Sequence, residues 1–135
     1  MKIIVITHGL LAKGLVDSTG LIVGEQENIK YLSLTADKNI ADFKLEVKEE
    51  ITKSSEKVLC LTDIVNGSPF NIVAELTTIY SNVYHICGVN LAMLLEATLS
   101  ANALNEDTVN RIVESGTKSI FDAGAFLKEK LGEEF

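Results

Sequence analysis

Short runs of apolar, mostly β-branched residues alternate with segments of helical periodicity along this chain of 135 residues, and this rhythm constrains the fold most strongly. The first run, Ile3–Ile6, is followed almost at once by a helical pattern. A strand that is apolar on both faces is typical of a parallel sheet that helices cover on two sides. Because strands separated by helices form right-handed βαβ units, we expect an α/β fold with three layers, α/β/α, around a central and mainly parallel four-stranded sheet.

Turn and capping residues set the bounds of the expected elements. Strands are predicted over residues 2–7, 28–34, 58–62 and 82–87. Helices are predicted over 10–23, 39–54, 69–80, from 90 onward, and over 105–115. Gly24 and Gly116 are expected to end helices, because glycine readily adopts the conformation that follows a last helical turn. The segment 117–135 is ambiguous and fits either a terminal helix or a short strand.

Length and charge limit what the chain does. One domain over residues 1–135 is long enough to bury a core without metal or disulfide support, so Cys60 and Cys87 are expected to be reduced thiols. A net charge of −7 argues against nucleic acid and anionic membranes as partners, since both bind basic surfaces. No apolar stretch approaches the roughly 18 residues of a membrane span, so we expect a cytoplasmic protein without membrane insertion.

The residues that follow the strands carry the strongest functional signal. The first strand ends at Thr7, His8 and Gly9, the third ends before Asp63, and the fourth leads to Asn90. Carboxyl ends of parallel strands share one edge, where open α/β sheets bind ligands. A carboxylate that holds one imidazole nitrogen fixes the tautomer and turns the lone pair of the other nitrogen outward. Asp63 beside His8 therefore predicts a directed nucleophile, and a polar capping pair is the alternative.

A second motif follows the third strand. Ser68 is predicted to be a helix N-cap and Pro69 the first helical residue. The backbone amides of Phe70 and Asn71 are then expected to point toward the same sheet edge, where Gly67 allows close approach and the Ser68 hydroxyl adds a donor. Such a helix end binds anions, so it predicts a phosphate site, although Ser-Pro also starts helices that bind no ligand.

Missing motifs narrow the chemistry. The chain has no GxxxxGKS or GxxxxGKT loop, no GxGxxG after the first strand, no acidic pair at the first strand end and no GxSxG elbow. His85 lies inside a predicted strand, so we expect a structural or edge role for it. What remains is a histidine, an aspartate that orients it and an anion pocket, which predicts a phosphohistidine carrier without metal or cofactor.

Three segments together resemble a known family. These are the strand–His8–Gly9 start, the stretch from Asp63 through Asn66-Gly67-Ser68-Pro69-Phe70-Asn71, and Gly88-Val89-Asn90 followed by Met93-Leu94. They resemble the IIA domain of the mannose/fructose/sorbose family of the bacterial sugar phosphotransferase system, over nearly the whole chain to about Gly116. The resemblance implies that His8 receives a phosphoryl group from the phosphocarrier protein HPr and passes it to a IIB component, which serves a IIC/IID membrane permease. It also implies Asp63 as the imidazole partner and Ser68 as a phosphate contact.

The resemblance further implies a homodimer in which a C-terminal strand, here near residues 118–122, crosses between subunits as an antiparallel strand. Asn66 stands where a glycine is often found, and the chain lacks a linker and a fused IIB domain, so the acceptor is expected to be a separate polypeptide. Two alternatives stay open: the phosphocarrier subunit of a dihydroxyacetone kinase, and a non-catalytic anion-binding regulatory module.

Overall fold

In a computed structural model, residues 1–100 and 103–133 are described. Residue 133 is described by its backbone alone. Four parallel strands form one sheet in the order β2-β1-β3-β4. The strands are β1 (Lys2–His8), β2 (Ile29–Leu34), β3 (Val58–Thr62) and β4 (Val83–Cys87). The central position of β1 explains its continuous apolar sequence, because helices cover both of its faces. The expected three-layer α/β/α fold is confirmed.

The described residues form six helices, and the first five of them connect or cover the strands. The six helices are α1 (Leu11–Val23), α2 (Ile40–Thr52), α3 (Ser68–Ile79), α4 (Leu91–Leu99), α5 (Glu106–Lys118) and α6 (Ala123–Glu133). Helices α1, α4 and α5 pack on one face of the sheet, and α2 and α3 pack on the other. No described helix has both the length and the apolar sequence that a membrane crossing requires.

Alternation along β1 divides the core between the two faces. Ile3 and Val5 belong to the cluster under α1, α4 and α5, whereas Ile4 and Ile6 belong to the cluster under α2 and α3. All four side chains are fully buried, and each burial contributes about 1.5–3 kcal/mol. Both layers are therefore held against β1, whose carboxyl end carries His8.

The predicted end of α5 at Gly116 is wrong, since the helix continues to Lys118. Gly116 lies buried inside α5, and a Cβ there would come within 2.3 Å of Cγ of Met93. This glycine allows α4 and α5 to approach each other closely instead of ending a helix. Gly24, in contrast, follows α1 with a φ of 82°, so the predicted end of that helix is confirmed.

The C-terminal segment of the single chain contains no strand among its described residues. Residues 119–122 join α5 to α6, and Ile120 and Phe121 are 75% and 60% exposed. Phe126 and Leu127 on α6 are also exposed. The strand exchanged near residues 118–122 thus stays a prediction about an assembly of two chains.

Candidate functional site

The carboxyl ends of β1 and β3 are neighbours, and they bring His8 and Asp63 together. The backbone N–H of His8 donates to Oδ2 of Asp63 over 2.9 Å, and Nδ1 of the same histidine lies 2.8 Å from that oxygen. Oδ1 accepts the N–H of Ile64 over 3.0 Å. The Asp63 side chain is 12% exposed and that of His8 is 48% exposed. A largely covered carboxylate therefore holds a ring that remains open to solvent.

The charge state of Asp63 follows from its hydrogen bonds. Burial raises the pKa of this carboxyl, but the backbone N–H and ring of His8 together with the N–H of Ile64 outweigh that effect and hold the pKa below its ordinary value. Asp63 is consequently ionised at neutral pH, and its Oδ2 accepts a hydrogen bond from Nδ1–H. This tautomer leaves the lone pair on Nε2, for which the described residues provide no hydrogen-bond donor.

Thr7 and Gly9 fix the backbone on either side of the ring. The buried hydroxyl oxygen of Thr7 accepts the N–H of Ala12 over 2.8 Å at the start of α1, and it donates to the carbonyl of His8 over 3.2 Å. Gly9 has a φ of 56°, a left-handed conformation that glycine adopts without strain, and its N–H donates to Leu34. Both residues therefore support the geometry of His8 through its backbone.

Helix α3 begins one residue earlier than predicted. Gly67 is its N-cap and Ser68 is its first helical residue, so the prediction of Ser68 as the cap and Pro69 as the first residue is wrong. The carbonyl of Gly67 accepts the N–H of Asn71 over 2.9 Å as the first intrahelical bond. The prediction that the Asn71 amide faces a ligand is wrong for the same reason. The amides of Ser68 and Phe70 are the first-turn donors that α3 leaves without an intrahelical partner.

Gly67 also sets the distance between α3 and the imidazole. A Cβ at this position would lie 2.8 Å from Cε1 of His8 and 3.0 Å from Cγ2 of Ile64. The preceding Asn66 has a φ of 67°, which asparagine tolerates better than most side chains, and its carbonyl accepts Nδ2 of Asn71 over 3.3 Å. The turn thus brings the first residues of α3 against the ring of His8.

Asn90, which was expected at the edge of the site, bonds elsewhere. Its Oδ1 accepts the N–H of Met93 over 3.0 Å, and its Nδ2 donates to the carbonyl of Gly116 over 3.1 Å. Asn90 therefore caps α4 and links it to α5, and no hydrogen bond joins it to His8 in the described part of the chain.

Sequence reasoning missed one contact beneath the site. Nε2 of His85 lies 2.7 Å from Oγ1 of Thr62, and the ring of His85 lies 5.1 Å from that of Phe70, centroid to centroid. The available signal was the position of His85 two residues before the end of β4. That position alone did not give the strand pairing on which the contact depends.

Cys60 and Cys87 are both free thiols. Burial raises the pKa of Cys60 to about 12, so this thiol is not a nucleophile at neutral pH. Within residues 1–100 and 103–133, no three histidine, cysteine or carboxylate side chains form a group that could hold a metal ion.

An exposed imidazole that a carboxylate holds, next to a helix N-terminus, is typical of a histidine that carries a transferred group, and comparison with known families gives the same class. The model of the EIIA-man family, described as PTS system fructose IIA component, matches residues 2–114. The chain therefore belongs to this family of phosphotransferase-system IIA components.

Individual relatives agree with this assignment. The chain is 26% identical to the sorbose-specific EIIA component of Lacticaseibacillus casei, over 97% of this chain and 94% of that protein. It is 27% identical to the mannose-specific EIIAB component of Escherichia coli K12, over 89% of this chain but only 38% of that protein. The chain thus spans well under half the length of this longer relative.

The fold has close counterparts among solved structures. The EIIA component from Streptococcus agalactiae superposes with a TM-score of 0.85 at 31% identity, over 92% of this chain and 98% of that one. The mannose/sorbose-specific IIA subunit from Enterococcus faecalis gives a TM-score of 0.82 at 25% identity.

Proposed function

We propose that Nε2 of His8 carries the phosphoryl group, which it accepts from HPr and passes to a IIB component. The observation that supports this most directly is the 2.8 Å contact between Nδ1 of His8 and Asp63, which leaves Nε2 as the exposed lone pair. The proposal covers residues 1–135 as one carrier domain, at work in the cytoplasm and serving a IIC/IID permease only through IIB.

The transfer is a displacement between two histidines. The Nε2 lone pair of His8 attacks phosphorus as the bond from phosphorus to the donor imidazole breaks, so the donor nitrogen recovers its electron pair. The phosphorylated ring retains the proton on Nδ1 and gains positive charge, which the Asp63 carboxylate offsets. Transfer to IIB reverses these steps, so Asp63 favours acceptance without locking the group in place.

The first turn of α3 supplies partial positive charge for the phosphoryl oxygens. The amides of Ser68 and Phe70 and the Ser68 hydroxyl are proposed to contact the phosphoryl oxygens, because Gly67 brings this helix end against the His8 ring. A charge at a helix N-terminus gains about 0.3–1 kcal/mol, which is modest. A carrier benefits from such weak contacts, since tight binding of the transferred group would slow its release.

The surroundings of His8 suit alternate docking of donor and acceptor. Leu10, Ile64 and Val65 are exposed apolar side chains close in sequence to His8 and Asp63. We place both partners over this surface in turn. Homodimer formation is also part of the proposal, because it would cover Ile120 and Phe121, which the single chain exposes.

The test is a relay in vitro with enzyme I, HPr and labelled phosphoenolpyruvate. Wild type should take up label that is acid-labile and alkali-stable, as a phosphoramidate is, whereas His8→Ala should take up none. Thr19→Val, remote from the site, serves as a matched control for handling and folding. Undiminished labelling of His8→Ala would contradict the role of His8.

The same relay separates the alternatives. Label should move from the carrier to a IIB component. Movement to a dihydroxyacetone kinase subunit instead would contradict the proposed acceptor, and an intact mass without any phosphate adduct would point to a non-catalytic anion-binding module.

A further inference from the structure

The second histidine of the chain contacts two supports of the site. His85 pairs in register with Cys60 and therefore faces the α3 side of the sheet. Its Nε2 lies 2.7 Å from the hydroxyl of Thr62, which is fully buried and immediately precedes Asp63. Its ring also packs at 49° against Phe70, in the first turn of α3. One side chain thus contacts both the end of β3 and the start of α3.

The state of this ring suits a fixed hydrogen bond. Burial lowers the pKa of His85, which favours the neutral ring with one donor and one acceptor nitrogen. The Thr62 hydroxyl can donate or accept, so the contact exists in either tautomer. The carbonyl of Thr62 also accepts the N–H groups of Gly88 and Val89, which ties the ends of β3 and β4 together.

Stability alone does not account for a histidine at this position. Apart from Thr62, its buried neighbours on this face of the sheet are apolar. A partly buried imidazole loses hydration, and among the described residues only the hydrogen bond to Thr62 offsets that loss. Apolar side chains at positions 85 and 62 together would fill the same space without that cost. Sites at which a sequence departs from the most stable choice are frequently functional.

We propose that His85 is a positioning residue for phosphoryl transfer at His8. Through Thr62 it fixes the strand end from which Asp63 reaches the imidazole, and through Phe70 it fixes the helix end that faces the phosphoryl group. This role rests on the proposed function. His85 acts only through these other residues. Such positioning matters because a shift of about 1 Å in catalytic geometry costs up to about a hundredfold in rate.

Three variants isolate the contact. His85→Phe keeps an aromatic ring against Phe70 and removes the nitrogen, Thr62→Val removes the hydroxyl with little change of shape, and His85→Gln restores a polar group. Transfer from phospho-HPr should fall about tenfold in the first two and recover in part in His85→Gln. The double variant His85→Phe/Thr62→Val should be no slower than either single variant, because both remove the same bond. Thr19→Val, another buried threonine, should transfer at the wild-type rate per folded molecule.

Nitrogen NMR of the His8 ring supplies a second measurement that a purely structural role would not change. Wild type should hold the proton on Nδ1, and both His85→Phe and Thr62→Val should move the ring toward a mixture of tautomers. Unchanged tautomers, or transfer that falls only in proportion to the folded fraction, would overturn the positioning role.

The relay keeps this role apart from the proposed function. Absence of label on His8 in wild type overturns the proposed function and this role with it. A labelled wild type whose His85→Phe and Thr62→Val variants transfer equally fast overturns the positioning role alone.

Discussion

The beginning of α3 differs from the beginnings of the other helices. At each of those, a side-chain oxygen accepts a backbone amide of the first turn. The donor and acceptor pairs are Ala12 to Thr7, Asp42 to Asn39, Met93 to Asn90, Thr108 to Asn105 and Ala125 to Asp122. Among the described helices only α3 has no such acceptor. Its N-cap is Gly67, whereas in α1, whose N-cap Leu10 is apolar, Thr7 of β1 supplies the oxygen.

This difference at the start of α3 exchanges a little helix stability for backbone amides that stay open beside His8. A polar cap contributes about 1 kcal/mol to helix stability, and glycine at the same position gives up a few tenths of that. At α3 the glycine leaves the amides of Ser68 and Phe70 open and gives the His8 ring room against the helix. A side-chain oxygen thus stabilises the start of each of the other helices, whereas the open start of α3 lies against the nucleophile.

Gly67→Ala should slow phosphoryl transfer more than any of the other variants below. The added methyl group overlaps Cε1 of His8, so the ring must move, and phosphoryl transfer should fall about a hundredfold. Gly14→Ala on α1 is the matched control, since a Cβ there meets nothing within 4 Å, and it should raise the free energy of unfolding by about 0.5–1 kcal/mol without slowing transfer. Equal transfer rates for the two variants would contradict the account.

Asp63→Asn should have the next largest effect. It tests whether the Asp63 carboxylate orients the His8 ring for transfer. Loss of the charged partner at Nδ1 should slow transfer about 10–100-fold while the protein stays folded. Stopped-flow labelling with circular dichroism checks both, and a wild-type rate would reduce Asp63 to a structural cap.

Ser68→Ala and Asn105→Ala form a crossed pair. Ser68→Ala should slow transfer about fivefold and leave stability nearly unchanged, because its hydroxyl has no hydrogen-bond partner among the described residues. Asn105→Ala should lose about 1 kcal/mol of unfolding free energy and keep the wild-type rate per folded molecule. Denaturation curves and the relay measure the two quantities. Equal changes of unfolding free energy and of transfer rate in both variants would contradict the different roles of the two helix starts.

The smallest effect concerns the dependence of stability on pH. The pKa of Asp63 lies lower in the folded protein than its ordinary value of 3.8, so the unfolded chain takes up the proton first as pH falls. Its contribution is therefore complete above about pH 5 and is lost at lower pH. Wild type should lose more unfolding free energy than Asp63→Asn between pH 5 and pH 2, as chemical denaturation would measure. Parallel curves would contradict an ionised, hydrogen-bonded Asp63.

The fold and the pairing of His8 with Asp63 could be predicted because both depend on simple patterns. Alternating strands and helices fix the parallel sheet, and its carboxyl ends share one edge. The start of α3 could not be placed, because Gly67 and Ser68 are both common N-cap residues and the close approach of Gly67 to the His8 ring involves another element. Gly116 was misjudged for a similar reason, since its role depends on Met93 across the α4–α5 contact.

The most direct test of the central claim is to locate the phosphate atom by atom. Wild type phosphorylated through HPr can be mapped by mass spectrometry and by nitrogen and phosphorus NMR. The account predicts one phosphate, bonded to Nε2 of His8, with the proton retained on Nδ1 beside Asp63. Phosphate on Nδ1 of His8, on His85 or on the Ser68 hydroxyl would contradict it.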